Sequence, residues 1–131
     1  GKKPNERNAK KTQRDWGVRK GEPIGVAVTV RGNDATELLK KLFDAKDNQI
    51  MGKAFDNEGN VSFGIKEHID IPGIKYDPKI GILGLEVSIS LVRPGFNIKF
   101  GKRKAKVGKN HRITKNDATK FLTEEFGVKI A

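Results

Sequence analysis

Four stretches of this chain set larger apolar residues at every second position, with smaller or polar ones between, and that period of two predicts strands with a single buried face. They are Val26-Ala-Val-Thr-Val30, Val61-Ser-Phe-Gly-Ile65, Glu86-Val-Ser-Ile-Ser-Leu-Val92 and Phe96-Asn-Ile-Lys-Phe100. Gly21-Glu-Pro23 marks a turn before the first and Gly32-Asn33 breaks it, while Gly59-Asn60 precedes the second. Arg93-Pro-Gly95 supplies turn chemistry between the last two, which predicts a hairpin. Between the strands lie two helical patterns. Asp34-Ala-Thr-Glu37 has the spacing of a capping box, and Ala35, Leu38, Leu39, Leu42 and Phe43 follow as one apolar stripe. Thr114-Lys-Asn-Asp117 opens a second helix with Ala118, Phe121, Leu122 and Phe126, stopped near Gly127. The expected fold class is α+β: an antiparallel sheet with two amphipathic helices packed on one face. The opposite face is polar and basic, and a long basic loop follows the hairpin. At 131 residues, with no repeat and no linker, the chain is expected to form a single domain, 1–131.

Charge is distributed unevenly. Residues 1–20 carry eight basic and two acidic side chains, and residues 93–116 carry nine basic and none acidic. The segment between them, 21–92, is slightly acidic, with eight basic against eleven. Two concentrated basic segments around such a body are the footprint expected for a polyanion. A membrane-surface helix would set Leu, Phe or Trp opposite Lys and Arg. The run from Gly101 to Lys109 has only Ala105 and Val107 as apolar residues, so nucleic acid is favoured over a membrane partner. The outward strand positions fit the same reading. Ala27, Thr29, Arg31, Ser62, Gly64, Ser88, Ser90, Asn97 and Lys99 are small, polar or basic, suited to phosphate and ribose oxygens. A plain solvated sheet face is the competing account.

Other chemistry is poorly represented. With no cysteine, disulfides, thiolate zinc sites and cysteine nucleophiles are excluded. His68 and His111 have no metal-ligand spacing, and no phosphate-binding loop, dinucleotide fingerprint or nucleophile elbow occurs. Neither a metal nor another cofactor is expected, and no catalytic residue is assigned. His111, within the basic segment, is expected to bond RNA or a carbonyl. Phe63, Phe96 and Phe100 share parity with apolar neighbours and are expected in the core. Trp16 lies in the basic stretch Arg14-Asp-Trp-Gly-Val-Arg-Lys20, where it either stacks on a nucleotide or folds back onto the sheet.

Several segments together resemble one family. They are Gly1-Lys-Lys-Pro4, Ala9-Lys-Lys-Thr12, Gly21-Glu-Pro-Ile-Gly25, Val28-Thr-Val-Arg-Gly32 and Gly59-Asn-Val-Ser-Phe-Gly64. Glu67-His-Ile-Asp-Ile-Pro72, Tyr76-Asp-Pro78, Ile80-Gly-Ile-Leu-Gly-Leu-Glu86 and Arg93-Pro-Gly95 continue the match in order. Their collinearity resembles the large-subunit ribosomal protein L-five family in its archaeal and eukaryotic form, with Glu22-Pro-Ile-Gly25 favouring an archaeal source. Members begin with a strand and a helix that this chain is expected to lack.

The resemblance implies a cytoplasmic ribosomal protein of the central protuberance that binds 5S ribosomal RNA and helps attach it to the large subunit. It also implies contact with P-site transfer RNA and a bridge to small-subunit protein S-thirteen. Lys2 falls where the family has a 5S-contacting residue, usually glutamine, and Thr29 matches a contacting threonine. Thr12, Arg14, Trp16 and Arg19 lie in the segment corresponding to the transfer-RNA loop. Lys10, Lys11, Lys99, Lys102, Arg103, Lys104, Lys106, Lys109 and Arg112 are the residues expected to neutralise ribosomal RNA phosphates. Two other function classes compete: a DNA-compacting protein, and an RNA-processing enzyme using Glu67, His68 and Asp70.

Overall fold

The computed structural model describes residues 2–103 and 105–131, so Lys104 of the expected RNA-binding set lies outside the described residues. The chain is α+β and clusters into two compact units, one ending at Leu38 and the other running from Leu39 to Ala131.

The first unit is built on a two-stranded antiparallel ribbon. Strand β1 (Asn5–Asn8) pairs with β2 (Pro23–Ala27), Asn5 facing Ala27 and Asn8 facing Pro23, with a bulge between Arg7 and Asn8. Backbone bonds carry the pairing outward past the strands. Ala9 donates to Glu22 at 2.8 Å, Gly21 donates to Ala9 at 2.9 Å, and Gln13 and Val18 exchange both of their bonds. Nothing in the sequence signals β1, because Asn-Glu-Arg-Asn carries no apolar periodicity and owes its extension to the partner strand. The expected burial of Val26, Val28 and Val30 is overturned in part. Val26 and Val28 are exposed, and Ala27 on the other face is half-buried. β2 ends at Ala27 and among the described residues pairs with β1, and Val30, beyond the strand, is half-buried.

The second unit holds the core. Strands β4 (Asn60–Ile65) and β5 (Leu85–Ser90) pair antiparallel from Asn60–Ser90 to Ile65–Leu85. Their alternation is as the sequence predicts: Val61, Ile65 and Ile89 are buried, whereas Ser62, Gly64, Glu86, Ser88 and Ser90 are exposed. Helix α1 (Asn33–Asp44) supplies Leu42 and Phe43 to the inner side, with Leu39 partly buried and Leu38 exposed. Helix α2 (Lys115–Phe126) adds Ala118 and Leu122. The Phe43 ring stacks on Phe63 with centroids 5.7 Å apart and meets Phe126 edge-on at 5.3 Å. A short parallel pair, β3 (Gln49–Ile50) with β6 (Lys129–Ile130), completes this unit. Among the described residues the expected single sheet is thus divided into three two-stranded pairs.

The predicted hairpin after β5 does not form. Gly95 takes a φ of 95°, and Phe96–Lys99 wind into a 3-10 turn. Three residues per turn break the period-two register, so Phe96 is half-buried and Phe100 is 75% exposed instead of entering the core.

Candidate nucleic-acid interface

The ribbon of the first unit narrows to a tip that displays the expected transfer-RNA-loop residues. Thr12 Oγ1 accepts from the Lys20 amide at 3.1 Å, and the Gln13–Val18 pair closes the next step. Arg14–Trp16 then form a 3-10 turn that Gly17 reverses at a φ of 67°. The Arg19 amide is anchored on Glu22 Oε2 at 3.1 Å. Thr12, Arg14, Trp16 and Arg19 are all exposed, and Trp16 reaches 78%. Of the two readings left open for this tryptophan, folding back is therefore excluded in this structure. A fixed turn with an outward indole between two arginines can stack on a base or ribose while neighbouring cations meet phosphate.

Lys10 and Lys11 are exposed on the approach to this tip. Lys2 is also exposed but forms an ion pair with Asp34. At this level of exposure such a pair is worth about 0–1 kcal/mol, so a phosphate can compete for the lysine. Thr29 is exposed too, but lies beyond the end of β2 and not on a sheet face as expected.

The second basic segment is anchored by side chain to backbone bonds. His111 Nε2 donates to the Pro94 carbonyl at 2.7 Å, joining the two ends of the loop. This is the carbonyl partner that the sequence leaves open beside RNA. Val107 is buried, and Arg112 Nε donates to its carbonyl at 3.2 Å. Lys99, Lys102, Arg103, Lys106, Lys109 and Arg112 are exposed around these anchors. Lys99 and Asn97 stand on the 3-10 turn, so their expected place on a strand face is corrected. Among the described residues the ion pairs are Lys2–Asp34 and Arg93–Asp117, which leaves the loop cations without carboxylate partners.

The outer face of β4 and β5 is a shallow trough lined by Ser62, Gly64, Glu86 and Ser88, with Ser62 Oγ donating to Ser88 Oγ at 3.3 Å. Glu86 makes this face less suited to a polyanion than the hydroxyls alone suggest. His68, offered as an enzymatic candidate, ties down a loop: its Nδ1 accepts from the Leu83 amide at 3.1 Å, and its own amide donates to the Leu83 carbonyl at 2.9 Å. Among the described residues no three His, Asp or Glu side chains gather as a metal would need, and no helix is long and apolar enough to cross a membrane.

Comparison with known proteins matches residues 23–129 to the C-terminus of the ribosomal protein L-five family. The chain is 65% identical to the large ribosomal subunit protein uL5 of Nitrosopumilus maritimus, over 100% of this chain and 76% of that protein. It is 63% identical to the protein of that name from Cenarchaeum symbiosum, over 99% of this chain and 78% of the relative. For Sulfolobus acidocaldarius the identity is 49%, over 99% and 74%.

Proposed function

The chain belongs to the ribosomal protein L-five family, in its archaeal form, and from that premise we propose that it binds 5S ribosomal RNA. Membership makes it a structural constituent of the large ribosomal subunit, a cytoplasmic particle, and not an enzyme. In the finer reading, it attaches 5S RNA to the large-subunit RNA in the central protuberance. The tip bearing Arg14, Trp16 and Arg19 touches P-site transfer RNA, and a further contact bridges to small-subunit protein S-thirteen.

The observation that carries this reading is the pair of anchored basic segments, whose cations other than Lys2 and Arg93 have no carboxylate partner among the described residues. Each lysine or arginine set on a phosphate releases condensed counterions, giving affinity that falls steeply with salt. Hydroxyl contacts to the 2′-OH then distinguish RNA from DNA.

Filter binding across a salt series tests the proposal, with 5S RNA, an unrelated structured RNA of equal length and duplex DNA as probes. Binding to 5S RNA should be tightest and should survive added salt best. Equal, salt-sensitive binding to both RNAs would refute specific 5S recognition by these residues. Preference for the duplex DNA would point to the DNA-compacting alternative.

A further inference from the structure

We propose that Phe100 is a base-stacking residue of the second basic segment, receiving an unpaired nucleotide of RNA. The inference rests on the RNA-binding reading above and adds a contact that charge alone does not provide.

Phe100 is 75% exposed and belongs to neither of the apolar clusters of the second unit. Its exposure leaves the face of the ring free to receive a ligand. The ring is held in place. Phe96 meets it edge-on, with centroids 5.8 Å apart and planes at 61°. Phe96 is itself half-buried and carries the Lys99 ammonium 5.3 Å from its ring centroid. In the backbone, the Phe100 amide donates to the Asn97 carbonyl at 3.1 Å, and the Ile98 amide donates to the Gly95 carbonyl at 3.4 Å. The ring therefore sits on an ordered turn, and docking a ligand there requires little further ordering.

The surroundings identify the ligand class. Lys99, Lys102 and Arg103 are exposed within three residues of the ring, and residues 93–116 contain no carboxylate. An apolar protein partner would have to desolvate these cations, whereas a single-stranded nucleotide uses both features. Its base covers the ring while its phosphates meet the lysines and arginine. Duplex RNA offers phosphates but keeps its bases stacked, so it cannot use the ring in this way.

The test compares Phe100→Ala, Phe100→Leu and Phe100→Trp in the whole chain. The probes are a 12-nucleotide single-stranded RNA of mixed sequence and the duplex formed with its complement, at several salt concentrations. Phe100→Ala and Phe100→Leu should each lower affinity for the single strand about five- to a hundredfold. Phe100→Trp should preserve it. Duplex affinity and both salt slopes should be unchanged, since no charge is lost. Circular dichroism melts that match the parent would show that the variants are folded. Parent-like binding of the single strand by both Phe100→Ala and Phe100→Leu would overturn stacking, as would full function of Phe100→Leu, which keeps apolar bulk without a ring. A parent chain that binds 5S RNA but not the single strand would overturn the stacking alone, whereas one that binds neither these probes nor 5S RNA would overturn the RNA-binding reading and this proposal together.

Discussion

Gly59 has a backbone φ of 77°, and a Cβ added there would lie 2.7 Å from Cγ2 of Ile113 and 2.9 Å from its Cβ. The residue closes the turn before β4, where Asp56 accepts from the amides of Glu58 and Asn60 at 2.9 and 2.7 Å. Left-handed strain and overpacking therefore act together, and Gly59→Ala should cost at least about 2 kcal/mol in urea unfolding. Gly17, at a φ of 67°, has open space around its missing Cβ, so Gly17→Ala should cost about 1 kcal/mol of strain alone. Equal losses in the two variants would show that the Ile113 contact yields without cost. The same contrast explains what a sequence conveys at this scale. Gly59-Asn60 announces a turn, but Ile113 lies 54 positions away and nothing local signals its approach. Phe100 is hidden for a related reason. Five alternating residues fit a strand and a 3-10 turn equally well, and the left-handed Gly95 decides between them.

At the scale of elements, α2 shows how a local pattern becomes a reliable start signal. The Thr114 hydroxyl accepts from the Asp117 amide, while the Asp117 carboxylate accepts from the Thr114 amide at 3.1 Å and its hydroxyl at 2.9 Å. The backbone bond from Thr114, then its hydroxyl, hold the Asp117 carboxyl below its ordinary pKa, with Arg93 and Lys120 adding to the effect against an opposing desolvation. A depressed pKa in the folded state contributes stability above the unfolded carboxylate value, and that contribution is lost as pH falls through the folded value. Asp117→Asn should therefore destabilise the chain at pH 7, and the gap to the parent should narrow on going below about pH 4. Urea midpoints at pH 7 and pH 3 measure this, and a gap that persists undiminished at pH 3 would assign the aspartate a role other than its charge. Thr114→Ala should cost about 1 kcal/mol at pH 7. Strands β4 and β5 are equally legible, since each buries one alternating face against the helices. By contrast β3 and β6 have two residues each and pair in parallel across the chain, leaving no periodicity to find. β2 is legible only in part: the strand expected at Val26–Val30 is observed at Pro23–Ala27, and alternation identifies two faces without saying which one is covered.

For the whole molecule, the distribution of charge carries further than the identity of any one lysine. The two basic segments are legible because like charges concentrated over 20 residues persist whatever the local fold. Their anchoring is not legible, since the His111–Pro94 bond and the paired backbone below Trp16 depend on contacts across loops. Counterion release makes the two segments separable in experiment. Replacing Lys102, Arg103, Lys106 and Lys109 by glutamine removes four phosphate partners, which should reduce the slope of log affinity against log salt by about three for structured RNA. Replacing Lys10, Lys11, Arg14 and Arg19 should reduce it by a similar amount if the β1–β2 ribbon and its tip, together an arm, meet the same RNA. With both sets replaced the reductions should add, because each phosphate contact releases its own counterions. A different result has a specific meaning. If the arm variant leaves the slope for 5S RNA unchanged while the loop variant lowers it, the arm is held away from 5S RNA and is left available for transfer RNA. Measured on transfer RNA, the dependence on the two sets should then reverse, and loss of slope from the loop set alone on both RNAs would remove the arm from the interface.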